Sequence, residues 1–330
     1  MVEAPQANWP HAAVVYNPRA VSVDGLRTLA DKQERAHGWA PTQWFSTNVE
    51  DGGSGAAALA IDTIPRVIIV AGGDGTVRAV IEQLEGSPVP LALIPVGTGN
   101  LLARELGLPL GDIATCLGAA FEGRERAIDV GIVELENAEG IQRRHVFAVM
   151  AGIGLDAVMA QRTSAAAKRR LGWFAYVTPI ARSIIANRLF HVDYRIDAGA
   201  RRSTRAHTII VGNCGTLAGR FLLIPDAVID DGLLDVVMMR PTNRFGWARI
   251  AAQLTAQKAV QRSRLGRRVF GEVRRSQALA YAQGREFDVR FDTPHAVELD
   301  GDHFGHILAA RVSLGPAALL LRVPRVQATP

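Results

Sequence analysis

Apolar residues in the first third of the chain arrive in short unbroken runs, each followed by a stretch with helical spacing. Residues 11–16, 43–47, 67–71 and 91–95 read as strands, and 24–38, 55–64, 77–84, 101–106 and 112–122 as helices. A run that is apolar at every position suits a strand covered on both faces, and alternation of strand with helix predicts a parallel, doubly wound sheet. Near Arg126 the pattern changes. Short strands separated by turn residues are predicted over 130–135, 145–151, 190–196, 208–212, 233–239, 287–291, 297–299 and 306–313, with helical insertions over 156–187 and 244–262. Many strands with turns between them predict an antiparallel sandwich. The expected class is therefore α/β, with an amino-terminal doubly wound (Rossmann-like) domain over 1–128 and a β-rich antiparallel sandwich domain over 129–316. A closing segment, 317–330, is free to pack back on the first.

One unit in the first domain is written twice. Val67 to Ala71 leads into Gly72-Gly73-Asp74-Gly75-Thr76 and then a helix; Leu91 to Pro95 leads into Gly97-Thr98-Gly99-Asn100 and another helix. Both turns fall at the carboxyl edge of the predicted sheet, where open α/β sheets bind ligands. Backbone N–H groups of such turns can hold a phosphate, and two turns side by side favour a nucleotide. The lysine that closes a P-loop is absent. A carboxylate at Asp74, beside a phosphate cradle, serves either a magnesium ion or proton acceptance from an attacking hydroxyl; the plain alternative is a helix-capping aspartate. Asn17 and Thr47, at the ends of two other strands, are ligand contacts or ordinary turn residues.

In the second half, Gly152-Ile153-Gly154-Leu155-Asp156 forms a glycine-bearing junction, and Asp230-Asp231-Gly232-Leu233-Leu234-Asp235 gathers carboxylates suited to a hard cation such as Mg²⁺, or to a solvated hairpin turn. Glu298 and Asp300 alternate onto one face of a strand, and Asp302 follows a glycine, free to project into a cleft. His295, His303 and His306 lie close in sequence but match no helical zinc pair. Cys116 and Cys214 read as buried thiols of a reducing compartment.

Composition narrows the setting more than the chemistry. At 330 residues and 48% hydrophobic content the chain can fill about two cores, and a net charge of +5 suits anionic partners. The basic run Lys168-Arg169-Arg170 precedes the aromatic stretch 171–176, and further arginines follow between 262 and 275. Such segments rest on an anionic bilayer or form a solvated helix face. No run approaches the ~18–20 apolar residues that span a bilayer, and no signal peptide is evident at the amino terminus.

Taken in order, Gly72-Gly73-Asp74-Gly75-Thr76, Pro95-Val96-Gly97-Thr98-Gly99-Asn100-Leu101-Leu102-Ala103, Gly152-Ile153-Gly154-Leu155-Asp156-Ala157, Asp231-Gly232-Leu233-Leu234-Asp235 and Asp300-Gly301-Asp302 resemble the soluble bacterial diacylglycerol kinase and sphingosine kinase-like lipid kinases. The resemblance spans residues 11 to 324. It implies ATP in the first domain, a lipid in the second and chemistry in a cleft. Residue by residue, it implies Asp74 as general base with Asp302 as a second catalytic carboxylate, and Asn17, Thr47, Gly72, Gly73, Gly75, Thr76, Gly97, Thr98 and Asn100 around the nucleotide. Asp231 and Asp235 correspond to carboxylates of a magnesium network, and Asp129 to an aspartate at the domain junction. The family's last motif usually ends in glutamate, so Asp302 is one methylene short. Arg19-Ala20-Val21 replaces the usual Ser-Gly pair, and Leu101 stands where many relatives carry aspartate. The expected enzyme is an ATP- and Mg²⁺-dependent kinase of a lipid hydroxyl, foremost that of diacylglycerol. A sphingoid base, a monoacylglycerol or a glycolipid as acceptor, a soluble kinase akin to NAD kinase or phosphofructokinase, and a non-catalytic nucleotide- or lipid-binding regulator stay open. The expected setting is cytoplasmic and peripheral on the inner membrane face, with no nucleic acid partner and a homo-oligomer allowed.

Overall fold

The computed structural model describes residues 9–154, 189–217, 221–222, 224, 227–241 and 279–325. The expected helical insertions, both basic segments and Leu155-Asp156-Ala157 lie outside them. The chain forms two compact units, one of residues 1–128 with 318–330 and one of residues 129–317.

The first unit runs β1 (Ala12–Tyr16), α1 (Val23–His37), β2 (Gln43–Ser46), α2 (Ser54–Asp62), β3 (Val67–Gly72), α3 (Asp74–Leu84), β4 (Leu91–Pro95), α4 (Leu101–Glu105) and α5 (Ile113–Glu122). Its strands are parallel in the order β2-β1-β3-β4. Every residue of β3 is buried, as an unbroken apolar run requires of a central strand covered on both faces. Leu26 and Ala30 from α1 join Leu117, Ala120 and Phe121 from α5 against β1, β3 and β4. Because β2 and β3 flank β1, the chain reverses direction across the sheet between β1 and β3, and the carboxyl edge opens there. Ladder bonds continue past the strand ends into the turns: Asn17 N–H donates to Ala71 O at 2.9 Å, Thr47 N–H to Tyr16 O at 2.9 Å, and Val96 N–H to Gly72 O at 3.3 Å.

The second unit is antiparallel. Its elements are β5 (Arg124–Glu136), β6 (Gln142–Phe147), β7 (Met150–Ile153), β8 (Phe190–Ile196), β9 (Arg202–Ala206), β10 (Thr208–Gly212), β11 (Thr216–Leu217), β12 (Phe221–Leu222), β13 (Leu234–Met239), β14 (Leu279–Gly284), β15 (Glu286–Leu299) and β16 (Asp302–Val323). β5 and β16 each run from one unit into the other. β15 holds the layers together: its first half pairs with β8, its second half with β7, and register shifts between Arg290 and His295 and between Ala296 and Glu298 bend it in between. Val133, Phe147, Ile153, Val192, Ile209, Val236, Phe287 and Val297 meet in the enclosed core.

Several predicted strand limits change for physical reasons. The separate strands over 287–291 and 297–299 are one bulged strand, and 306–313 belongs to β16, which continues through Gly315-Pro316 to Val323. The strand over 145–151 divides at Ala148-Val149 into β6 and β7. β9 carries too few apolar residues in alternation to be read from the sequence.

Candidate active site

In the first unit, α3 begins at Asp74, directly after Gly73. The Asp74 side chain does not cap that helix. It reaches the second turn, where Oδ2 accepts the Asn100 N–H at 2.8 Å and Oδ1 accepts the Leu101 N–H at 2.5 Å. The capping alternative is thus realised on the neighbouring helix, since these N–H groups begin α4. Asn100 is buried and left-handed (φ 51°); its Oδ1 accepts the Gly97 N–H at 3.0 Å and its Nδ2 donates to Gly97 O at 2.8 Å, closing the turn on itself. A Cβ on Gly97 would lie 2.5 Å from Gly73 Cα, so the two turns touch backbone to backbone.

The structure therefore brings Gly72, Gly73, Asp74, Gly75 and Thr76 together with Gly97, Thr98 and Asn100. Thr76 is buried, with its side chain against Gly72, and Thr98 is exposed at the tip of the second turn. Thr47 enters the same neighbourhood, because a Cβ on Gly53 would meet both the Thr47 and Thr76 methyl groups. Asn17 ends β1, and its Oδ1 accepts the Arg19 N–H at 2.9 Å, an Asx turn at the sheet edge. One residue sequence reasoning passed over is Arg104, whose Nε donates to Gly99 O at 2.6 Å. It lies one residue past the motif and reads as an ordinary helix-face arginine.

The second unit holds a different set of carboxylates. Asp300 and Gly301 both have positive φ (49° and 90°) between paired Leu299 and Asp302, the geometry of a two-residue type I′ hairpin turn. The buried Asp300 carboxylate accepts three backbone N–H groups: Ala148 at 2.8 Å, Val149 at 2.9 Å and Met150 at 2.9 Å. It pins the hairpin tip to the β6–β7 corner, and Asp302 follows half-buried as the first residue of β16. On the same corner, buried Asn213 donates from Nδ2 to Ala148 O at 3.1 Å and to Asp129 O at 2.7 Å. Asn213 was not foreseen; the signal was a lone amide directly after the fully buried strand β10. Asp129 is buried too, with Oδ2 accepting the Gly232 N–H at 2.8 Å and Oδ1 the Ala317 N–H at 2.7 Å. Both its oxygens are engaged by backbone, so it works as a clasp.

Asp231 is exposed, and its Oδ1 accepts the Leu233 N–H at 3.0 Å. Asp235 is buried on β13, opposite Gly212 and Gln283, and its Oδ2 has no hydrogen-bond partner among the described residues. Burial pushes its carboxyl up to about 6, against a hydrogen bond from Gln283 and with help from the Asp231 charge. His303 and His306 have ring centroids 5.8 Å apart, while His295 packs on Phe190 and Phe291. Among the described residues no cluster of three or more His, Cys, Asp or Glu is placed to hold a metal ion.

Residues 11–133 match the family model of the diacylglycerol kinase catalytic domain, and residues 148–323 match that of the YegS C-terminal NAD kinase beta sandwich-like domain. The chain belongs to the bacterial diacylglycerol kinase family. Relatives named diacylglycerol kinase include one from Mycobacterium tuberculosis, 29% identical over 82% of this chain and 80% of that one, and one from Bacillus subtilis, 26% identical over 92% and 93%. A crystal structure from Bacillus anthracis shares the fold with a TM-score of 0.71 at 22% identity, over 96% of this chain and 98% of that one. The family is one of lipid kinases, and this chain is a phosphotransferase acting on an alcohol group of a lipid. Its two-part fold is the one expected: a Rossmann-like catalytic domain, then a β-rich sandwich.

Proposed function

We propose that this diacylglycerol kinase family member transfers the γ-phosphoryl group of ATP to the free hydroxyl of diacylglycerol, giving phosphatidic acid. The observation that carries the nucleotide half is the pair of glycine turns touching backbone to backbone at one sheet edge. Phosphoryl transfer asks mainly for positioning and neutralised charge, and turns with this geometry supply N–H donors to phosphate oxygens from Gly73, Gly75, Thr76 and Thr98, with Asn17 and Thr47 beside them. Asn100 shapes the second turn rather than reaching outward. For the acceptor, the names of the relatives favour diacylglycerol over a sphingoid base or another lipid.

Among the described residues, one place suits Mg²⁺. The buried, unpartnered Oδ2 of Asp235 is the kind of oxygen a hard cation takes, and Asp231 stands close enough to raise its proton affinity. Mg²⁺ commonly uses one or two carboxylates and keeps several waters. Asp231 and Asp235 would hold the ion, which would supply positive charge. Two carboxylates are candidates for taking the hydroxyl proton, Asp74 and Asp302. A peripheral position on an anionic membrane surface at the cytoplasmic face completes the proposal; no described helix is long and apolar enough to cross a bilayer.

Incubation with labelled ATP and Mg²⁺ tests the reading, using diacylglycerol, a sphingoid base, a monoacylglycerol and a glycolipid in mixed micelles, with NAD and a sugar phosphate alongside. Labelled phosphatidic acid as the dominant product is expected. Transfer to NAD or the sugar in preference to every lipid would overturn it.

A further inference from the structure

We infer that Asp74 is a positioning residue, latching the second nucleotide turn to the first, rather than the group that takes the acceptor's proton. The inference rests on the nucleotide-binding reading of these turns. Asn100 N–H and Leu101 N–H open α4, and a helix of that length holds neither donor internally. The Asn100 side chain is committed to Gly97, so within this turn it is Asp74, one strand away, that receives both. The neighbouring glycine has the matching shape: a Cβ on Gly99 would overlap Asp74 Oδ2, and its nearest neighbours would all be atoms of that carboxyl group. Glycine at 99 makes room for the latch, as glycine at 97 makes room for Gly73.

Both Asp74 oxygens already accept backbone N–H groups of the second turn, which fixes the carboxylate toward that turn. Turning it toward a hydroxyl would strand two donors at the start of a helix.

The two roles predict opposite effects on nucleotide affinity. As proton acceptor only, Asp74 places a negative charge near polyphosphate, so Asp74→Asn would leave ATP binding unchanged or tighter and would cut kcat by about 10²–10⁴-fold. As latch, Asp74→Asn keeps a single acceptor for two donors and loosens the second turn. Equilibrium ATP binding without lipid, with kcat and KM on lipid and a thermal melt, separates them. Asp74→Asn is expected to weaken ATP binding at least tenfold and to recover kcat within about tenfold at saturating ATP. Gly99→Ala leaves the carboxylate chemically intact but displaces it, and is expected to weaken ATP binding by a similar factor. The double variant should bind ATP no more weakly than the worse single one, because both remove the same contact. Unchanged or tighter ATP binding in both single variants, with kcat lost only in Asp74→Asn, would overturn the inference. Should the wild type bind ATP yet phosphorylate no lipid, the lipid-kinase reading fails while the affinity comparison still decides Asp74. A wild type that binds no ATP overturns both.

Discussion

Replacing Asp235 by asparagine is expected to stabilise the metal-free protein at pH 8. The carboxyl is buried, its Oδ2 is unpartnered, and its pKa stands at about 6 where 3.8 is ordinary. The folded state therefore keeps this proton at pH values where the unfolded chain has released it. Stability is complete in acid, declines as pH rises above about 4, and levels off above about 6. Two pKa units at about 1.4 kcal/mol each set the full cost at about 3 kcal/mol. Asparagine has nearly the same shape and no charge to bury, so it escapes that cost. About half of it is already incurred at pH 5, so the variant's advantage should grow by about 1.4 kcal/mol between pH 5 and pH 8. Urea denaturation of both proteins in EDTA at these two pH values measures the difference. Adding Mg²⁺ at pH 8 should then raise the wild-type midpoint and leave that of the variant in place. An advantage that does not grow with pH would refute the buried-carboxyl argument. A wild-type midpoint indifferent to Mg²⁺ would refute the metal assignment while leaving the electrostatics intact.

Asp302→Asn should abolish phosphoryl transfer with ATP affinity unchanged, and Asp302→Glu, which restores the family's side chain, should retain turnover; steady-state kinetics on diacylglycerol with ATP-binding titrations check both. Asp129→Ala removes the acceptor of the Gly232 and Ala317 N–H groups, at roughly 0.5–1.5 kcal/mol for each hydrogen bond lost, and should appear as a lowered urea midpoint. The Cys116 thiol is pushed up to about 11, by burial first and by the Asp112 charge second. In the native protein at pH 8 it should resist alkylation that proceeds at once in urea, with mass spectrometry as the readout.

Legibility along the chain followed burial. β3 and β4 could be read almost residue by residue because each is apolar along nearly its whole length and buried throughout or nearly so. The glycine turns were visible for the same reason, since a glycine after such a strand has few other uses. In the antiparallel unit the signal weakens wherever one face meets water: β9 reads Arg-Ser-Thr-Arg-Ala, and nothing in that string distinguishes a strand from a loop. Side-chain direction was beyond the sequence altogether. Asp74 and Asp300 sit in motifs that read as chemistry, yet the Asp300 carboxylate spans a sequence separation of about 150 residues to bind a corner that depends on the pairing of β15 with β7. Tertiary contacts of that kind leave no local trace, and neither does an unpaired oxygen such as Asp235 Oδ2.

The tail of β16 carries an implication for synthesis. Leu321 pairs with Leu91 on the open side of β4, Ala318 O accepts the Gly86 N–H, and the Arg322 guanidinium reaches Ala120 O. On a ribosome adding about 5–20 residues per second, residues 96 to 317 take on the order of tens of seconds. Throughout that interval β4 presents bare backbone N–H and C=O groups along an apolar edge, the feature that recruits foreign strands. The amino-terminal half thus leaves the ribosome as an unfinished sheet, and its quality control falls to whatever shields β4 until the final strand emerges.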